Sequence, residues 1–257
     1  MVGKIERYLH EVKERDGVIF FGLIDPFNGV EKSLEIAKAF YEANADVILL
    51  GGSLGIDEEL INRVAKNIKE EIDLPVILFP GNINGITRYA DALYFMSLLN
   101  SSNTYWITGA QALAAPLLMK LGIEAIPTSL LIIEPGEAVG WVGEARPIPL
   151  HKPEIAAAYA LAGKYLGQRI TILERGSGAP GPAPAEMFAM IKKVVGPDHL
   201  VISAGSCKTL EHMRQAILAG ADGIHVASLV EKAENPFEEA KKIVGYVKEV
   251  GKEKIKT

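Results

Sequence analysis

Eight short runs of β-branched and apolar residues recur along the chain, and stretches with helical periodicity lie between most of them. The runs are VIFFGLI (18–24), DVILL (46–50), PVILF (75–79), ALYFMSLL (92–99), AIPTSLLII (125–133), RITILE (169–174), LVISA (200–204) and DGIHVAS (222–228). Helical patterns fall at 30–43, 57–70, 109–121, 153–166, 184–195, 208–219 and 236–249, with an extra one at 3–14 ahead of the first run. Runs that are apolar throughout, rather than alternating, belong to strands buried on both faces, as in a parallel sheet covered by helices. Eight such units close most simply into one (β/α)8 TIM barrel of the α/β class, and a chain of 257 residues has a suitable length for it. A doubly wound open sheet is the runner-up, but no GxGxxG follows the first run to support a dinucleotide site.

Two intervals break the alternation. PGNINGITRYAD, between the third and fourth runs, is too short and glycine-rich for a full helix and reads as a loop. EPGEAVGWVGEARPIPLHK (134–152) reads as a long irregular connection after the fifth run, of the kind that is usually functional. Both fall on the C-terminal face of a barrel, where catalytic loops gather. Other classes are disfavoured by composition. A net charge of −5 without a basic cluster argues against nucleic acid. Cys207 is the one cysteine, so neither an intramolecular disulfide nor a cysteine-based zinc cluster is expected, and it reads as a small buried hydrophobe. The charged N-terminal pattern fits neither a signal peptide nor a membrane span, and no apolar run reaches the roughly 18–20 residues needed to cross a bilayer. A cytoplasmic location is expected.

The strand ends form one rim, dominated by glycine and small hydroxyl residues. AGSCKT (204–209) and VAS (226–228), after the seventh and eighth strands, suit a phosphate held by main-chain N–H groups, and equally suit ordinary turns. Asp25, before Pro26, is either a turn cap or a hard oxygen ligand for Mg²⁺, with Ser53 of the next loop as a neighbouring oxygen or helix cap. Glu174 ends the sixth strand as its only acid. It is either a general base for a hydroxyl or a partner in an ion pair with Arg175 or Lys208. The five histidines share no metal-binding spacing, and His225, inside the eighth strand, reads as a barrel-wall or core residue.

The segments LIDPFN, ADVILLGGS, LPVILFPGNINGITRYADALYFMSLLNSSNTYWITGAQ and ILERGSGAP together resemble the geranylgeranylglyceryl phosphate synthase family of archaea, which has a bacterial heptaprenyl relative. The resemblance runs from about residue 18 to 230. It implies a phosphate-binding barrel that transfers a geranylgeranyl group from its diphosphate to the 3-hydroxyl of sn-glycerol 1-phosphate, with Mg²⁺ as cofactor, and assembles as a homo-oligomer, dimer or hexamer. It implies Asp25 and Ser53 at the metal and Glu174 on the glycerol hydroxyls. It further implies Ile172, Leu173, Glu174, Arg175, Gly176, Ser177 and Gly178, with Gly205, Ser206, Ala227 and Ser228, around glycerol phosphate, and Trp106 in the prenyl channel. Departures fall at the same places: LIDPFN stands for LIDPDK, Arg175 for a small residue, AGSCKT for GGGIRS and VAS for TGN or TGT. Two readings compete with this one: a phosphosugar isomerase or lyase of the same barrel type, and a non-catalytic phosphate-binding barrel.

Overall fold

The computed structural model describes residues 2–52, 55, 57–205 and 207–256. Eight parallel strands follow one another in chain order around a closed barrel: β1 Ile19–Ile24, β2 Val47–Leu50, β3 Val76–Leu78, β4 Ala92–Leu98, β5 Glu124–Ile132, β6 Ile170–Glu174, β7 Leu200–Ala204 and β8 Gly223–Val226. The sheet closes where Phe20 and Phe21 of β1 pair with Ile224 and His225 of β8. This is the (β/α)8 barrel expected from the eight runs, and the open-sheet alternative is excluded.

The ring of helices comprises α2 (Val30–Glu42), α3 (Glu58–Glu71), α4 (Ala110–Leu121), α6 (Pro153–Tyr165), α7 (Ala185–Val195), α8 (Leu210–Leu218) and α10 (Pro236–Lys254). Their apolar stripes pack on the outward strand residues in one buried layer, which includes Phe20, Phe40, Ile48, Leu131, Leu173 and Phe188. A second layer fills the barrel with inward residues such as Phe21, Leu49, Tyr94, Ile126, Ile172 and Ile202. The strands are apolar throughout because both faces are covered, and alternate residues serve the two layers. None of the helices among the described residues is long and apolar enough to cross a membrane.

The extra N-terminal helix, α1 (Lys4–Asp16), closes the bottom of the barrel with Ile5, Leu9 and Val12. The Glu124 carboxylate, from the base of β5, accepts the main-chain N–H groups of Ile5 and Glu6 at 2.8 and 2.9 Å. An acid there satisfies two otherwise unpaired donors and complements the positive end of the helix. α1 covers that end of the barrel, and the cavity described below opens at the opposite face.

On that face the structure corrects two expectations. The 134–152 connection is not irregular throughout, since it holds a short helix, α5 (Glu137–Val142). Three glycines in GEAVGWVG hide it from propensity. Gly143 nonetheless packs where a side chain would overlap Leu98, so tertiary contact holds the segment down. The helical pattern at 109–121 begins earlier than expected, with a π-helical turn over Tyr105–Gly109 before α4. The β3–β4 connection is a loop, as read, broken by one 3-10 turn at Ile83–Gly85.

Candidate active site

Strand alternation points Glu174 into the barrel mouth above Ile170 and Ile172, which lie in the interior layer. The residue is 6% exposed, and its carboxylate accepts the main-chain N–H of Gly176 at 2.5 Å. Register explains its seat. Glu174 pairs with Ala204 of β7, and the next residue, Gly205, has φ +76°. A Cβ on Gly205 would overlap Glu174 Oε1 and come within 2.7 Å of Gly176 N. The bare Gly205 backbone thus leaves the space that the carboxylate occupies. Burial pushes the carboxyl up from 4.5 to about 7, against the opposing pull of the Gly176 and Arg175 main-chain donors. A carboxyl so placed can take and return a proton near neutrality.

Neither ion pair proposed for Glu174 forms. Arg175 points away and donates from Nε to Glu134 O at 2.6 Å and from Nη1 to Gly181 O and to Pro182 O at 3.0 Å. Lys208 Nζ donates to Gly178 O at 3.0 Å.

A cavity of about 1220 Å³ opens at this rim. At one side its wall carries Asp25, Gly52, Glu174, Gly176, Ser177, Gly178, Gly205, Lys208, Ala227 and Ser228. Its apolar wall carries Ile83, Ile86, Leu93, Phe95, Leu98, Trp106, Ala114, Val139 and Val142, from the β3–β4 loop, β4, the π-helical turn, α4 and α5. The volume exceeds the roughly 300–1,000 Å³ of pockets for compact ligands. Ile172 and Leu173 contribute no side chain to this wall: the former fills the barrel and the latter packs outside it. Ser53 and Ser206 lie outside the described residues.

The residues around Asp25 also come together without an obvious linear signal. Asp25 Oδ1 accepts the N–H of Phe27 at 3.0 Å in the tight turn that Pro26 enforces. A Cβ on Gly52 would lie 2.6 Å from Oδ1, so Gly52 leaves room for this half-buried carboxylate. From α9 (Ser228–Glu231), the Glu231 carboxylate accepts the Asp25 main-chain N–H and Asn28 Nδ2, both at 3.1 Å. Burial raises the pKa of both Asp25 and Glu231, and the neighbouring Asp25 charge adds to the rise at Glu231. Sequence reasoning missed Glu231, because nothing in the VASLVE pattern says that its acid reaches back to the first strand.

The cavity floor is aromatic. His225 stacks on Tyr94 with ring centroids 5.9 Å apart, while Phe21 and Phe79 meet it edge-on at 5.1 and 5.4 Å. Burial pulls the imidazole down to about 3, so it stays neutral, as a core histidine should. Trp106 stands against Tyr105 at 4.9 Å, and Tyr105 in turn donates to Asn82 Oδ1 at 2.6 Å, tying the π-helical turn to the β3–β4 loop.

Residues 10–248 match the PcrB family. The chain belongs to this family. Its relatives include geranylgeranylglyceryl phosphate synthase of Thermococcus gammatolerans, 52% identical over 94% of this chain and 94% of that protein. The synthase of Pyrococcus horikoshii is 50% identical over the same shares. Among solved structures, (S)-3-O-geranylgeranylglyceryl phosphate synthase from Thermoplasma acidophilum, in complex with its substrate sn-glycerol-1-phosphate, aligns with a TM-score of 0.90 and 36% identity. That alignment covers 97% of this chain and all of the other. The resemblance read from LIDPFN, ILERGSGAP and the segment LPVILFPGNINGITRYADALYFMSLLNSSNTYWITGAQ is therefore upheld across nearly the whole chain.

Proposed function

We propose that this barrel transfers the geranylgeranyl group of geranylgeranyl diphosphate to the 3-hydroxyl of sn-glycerol 1-phosphate, forming an ether. The observation that carries the proposal is the shared cavity, in which a buried, proton-accepting Glu174 and a glycine-rich rim are continuous with a long apolar wall. Glycerol phosphate is assigned to the rim, with its phosphate on the main-chain N–H groups of Ser177 and Gly178 and of the loops at Gly205, Ala227 and Ser228, the Gly176 N–H being taken by Glu174. Because α9 is a single turn, Ala227 and Ser228 would offer N–H groups rather than a helix dipole. The prenyl chain is assigned to the apolar wall beside Trp106.

In the transfer, a C–O bond forms between the glycerol 3-oxygen and prenyl C1 as the bond from C1 to the diphosphate breaks. Glu174 takes the hydroxyl proton. The apolar wall keeps water from competing for the allylic carbon. Mg²⁺ fits the donor set at Asp25: a half-buried carboxylate with one oxygen outside the turn hydrogen bond, space left by Gly52, and Ser53 next in the same loop. An Mg²⁺ ion there would be held through one or two protein oxygens, with substrate phosphate and water completing its shell. When bound, Mg²⁺ would neutralise charge on the departing diphosphate.

Incubation of the purified protein with both substrates and Mg²⁺ tests the assignment; absence of ether product under conditions where a family relative turns over would refute it. Two variants separate the roles. Asp25→Asn is expected to weaken the Mg²⁺ response of turnover by about tenfold or more, since loss of one hydrogen-bonded charge is worth roughly 1.5–3 kcal/mol. A normal metal titration contradicts the role. Trp106→Ala opens the apolar wall, so longer prenyl diphosphates should gain relative to the geranylgeranyl donor, by about 10–200-fold for the 1–3 kcal/mol typical of pocket changes. An unchanged product spectrum would remove Trp106 from chain-length control.

A further inference from the structure

Arg175 is 5% exposed, yet its guanidinium bonds to main-chain carbonyls instead of to a carboxylate. The carbonyls come from two places. Glu134 O belongs to the turn after β5, whereas Gly181 O and Pro182 O lie at the far end of the loop that Arg175 itself begins. The side chain thus closes the loop into a ring and ties that ring to the neighbouring strand end.

Two other side chains touch the loop's main chain: Glu174 accepts the Gly176 N–H at 2.5 Å and Lys208 donates to Gly178 O at 3.0 Å, but neither reaches its far end at Gly181 and Pro182. Pro180, Pro182 and Pro184 have no N–H to give. Among the described residues, one main-chain hydrogen bond spans the loop itself, from Ala179 N to Gly176 O at 3.1 Å. Gly176, Ser177 and Gly178 face the cavity, whereas Arg175 is not part of its wall. Whatever Arg175 does for a ligand, it does through the loop.

We propose that Arg175 is a positioning residue for glycerol 1-phosphate: its guanidinium holds the Gly176–Ser177–Gly178 main chain in the shape that receives the phosphate. This rests on the assignment of that loop to glycerol phosphate. The planar fork matters, because one guanidinium reaches three carbonyls in different directions, and a lysine ammonium on its flexible stem is not pre-organised to do the same. A loop left unpinned must be ordered when the ligand binds, so its cost falls on one substrate only.

The test is calorimetric binding of sn-glycerol 1-phosphate, without prenyl donor, to the full-length wild type, Arg175→Ala and Arg175→Lys, together with KM for each substrate and thermal melts. Arg175→Ala is expected to raise Kd and KM for glycerol 1-phosphate about tenfold, and Arg175→Lys about threefold, the order expected for losing charge-assisted hydrogen bonds. KM for geranylgeranyl diphosphate should stay within about twofold in both variants. Unchanged affinity, or a parallel loss for both substrates that follows the fall in melting temperature, would make Arg175 a fold support only and overturn the proposal. Arg175→Lys alone decides the matter should the alanine variant not fold. Gly178→Ala, which presses a methyl toward the Glu137 carboxyl, serves as the control. If it too leaves glycerol 1-phosphate binding intact, the loop assignment fails; if it weakens binding while the Arg175 variants do not, the Arg175 proposal fails alone.

Discussion

Glu174→Gln is expected to lower kcat by about 10²–10⁴-fold, the range typical for loss of a general base, and at the same time to make the protein harder to unfold at pH 8. The two effects share one cause. The carboxyl titrates at 4.5 in its ordinary setting and at about 7 in the folded barrel, because burial disfavours its charge. Folding therefore favours the protonated form. The penalty on the ionised form is absent well below pH 4.5, grows as pH rises toward about 7, and is complete above it. At 1.36 kcal/mol per pH unit, the penalty is on the order of 3 kcal/mol at most.

Glutamine keeps an oxygen for the Gly176 N–H and carries no charge, so it escapes the penalty. Its stability advantage should appear as a rise of several degrees in melting temperature at pH 8, at roughly 2–4 °C per kcal/mol for a chain of this size, and should shrink toward pH 4.5. In the wild type, kcat/KM should climb through about pH 7 as the base ionises. Near-normal turnover in the variant would take Glu174 out of the chemistry. A stability difference that did not narrow at low pH would show that its burial is not the source of strain. Such an exchange of stability for activity is expected where a charge is held in a site built for reaction rather than for folding.

The apolar runs made the barrel legible because parallel strands buried on both faces must be apolar at every position, and only the register and closure remained to be seen. Glu174 was legible for the converse reason: an acid ending such a run needs an explanation. Its surroundings were not. Arg175 is adjacent in sequence and looks like a salt-bridge partner, but successive side chains of a strand leave on opposite faces, so the nearest charge in the chain is on the wrong side. Helix α5 was invisible because its glycines score as loop, and its contacts come from β4 and β5. The pairing of Glu231 with the Asp25 turn spans 206 residues and exists only once the barrel closes β8 onto β1. AGSCKT suits a phosphate loop and an ordinary turn equally as sequence, and nothing in it shows that its glycine also leaves room for Glu174.

That demand sets the second large effect. Gly205→Ala adds one methyl group where Glu174 Oε1 already sits, on a residue whose φ of +76° an L side chain resists. The backbone strain alone costs about 1–3 kcal/mol, and the carboxylate must swing away or the loop must lift. Since Gly176 N would also lie 2.7 Å from the new Cβ, the obstruction reaches the donor that now orients the carboxylate. Displacement of a base by about 1 Å is enough for a 10²-fold loss, so turnover should fall at least that far while the apolar wall, and with it KM for the prenyl donor, is unaffected. The mechanism makes a sharper demand on the double variant. If Gly205→Ala acts by displacing Glu174, it should cost little further turnover once Glu174 is glutamine, and the two losses should be far from additive. Full additivity would mean that Gly205→Ala acts through the phosphate loop alone and that Glu174 owes its position to something else. A melting temperature that falls by several degrees in both backgrounds would separate the backbone strain, which the glutamine does not relieve, from the loss of the base.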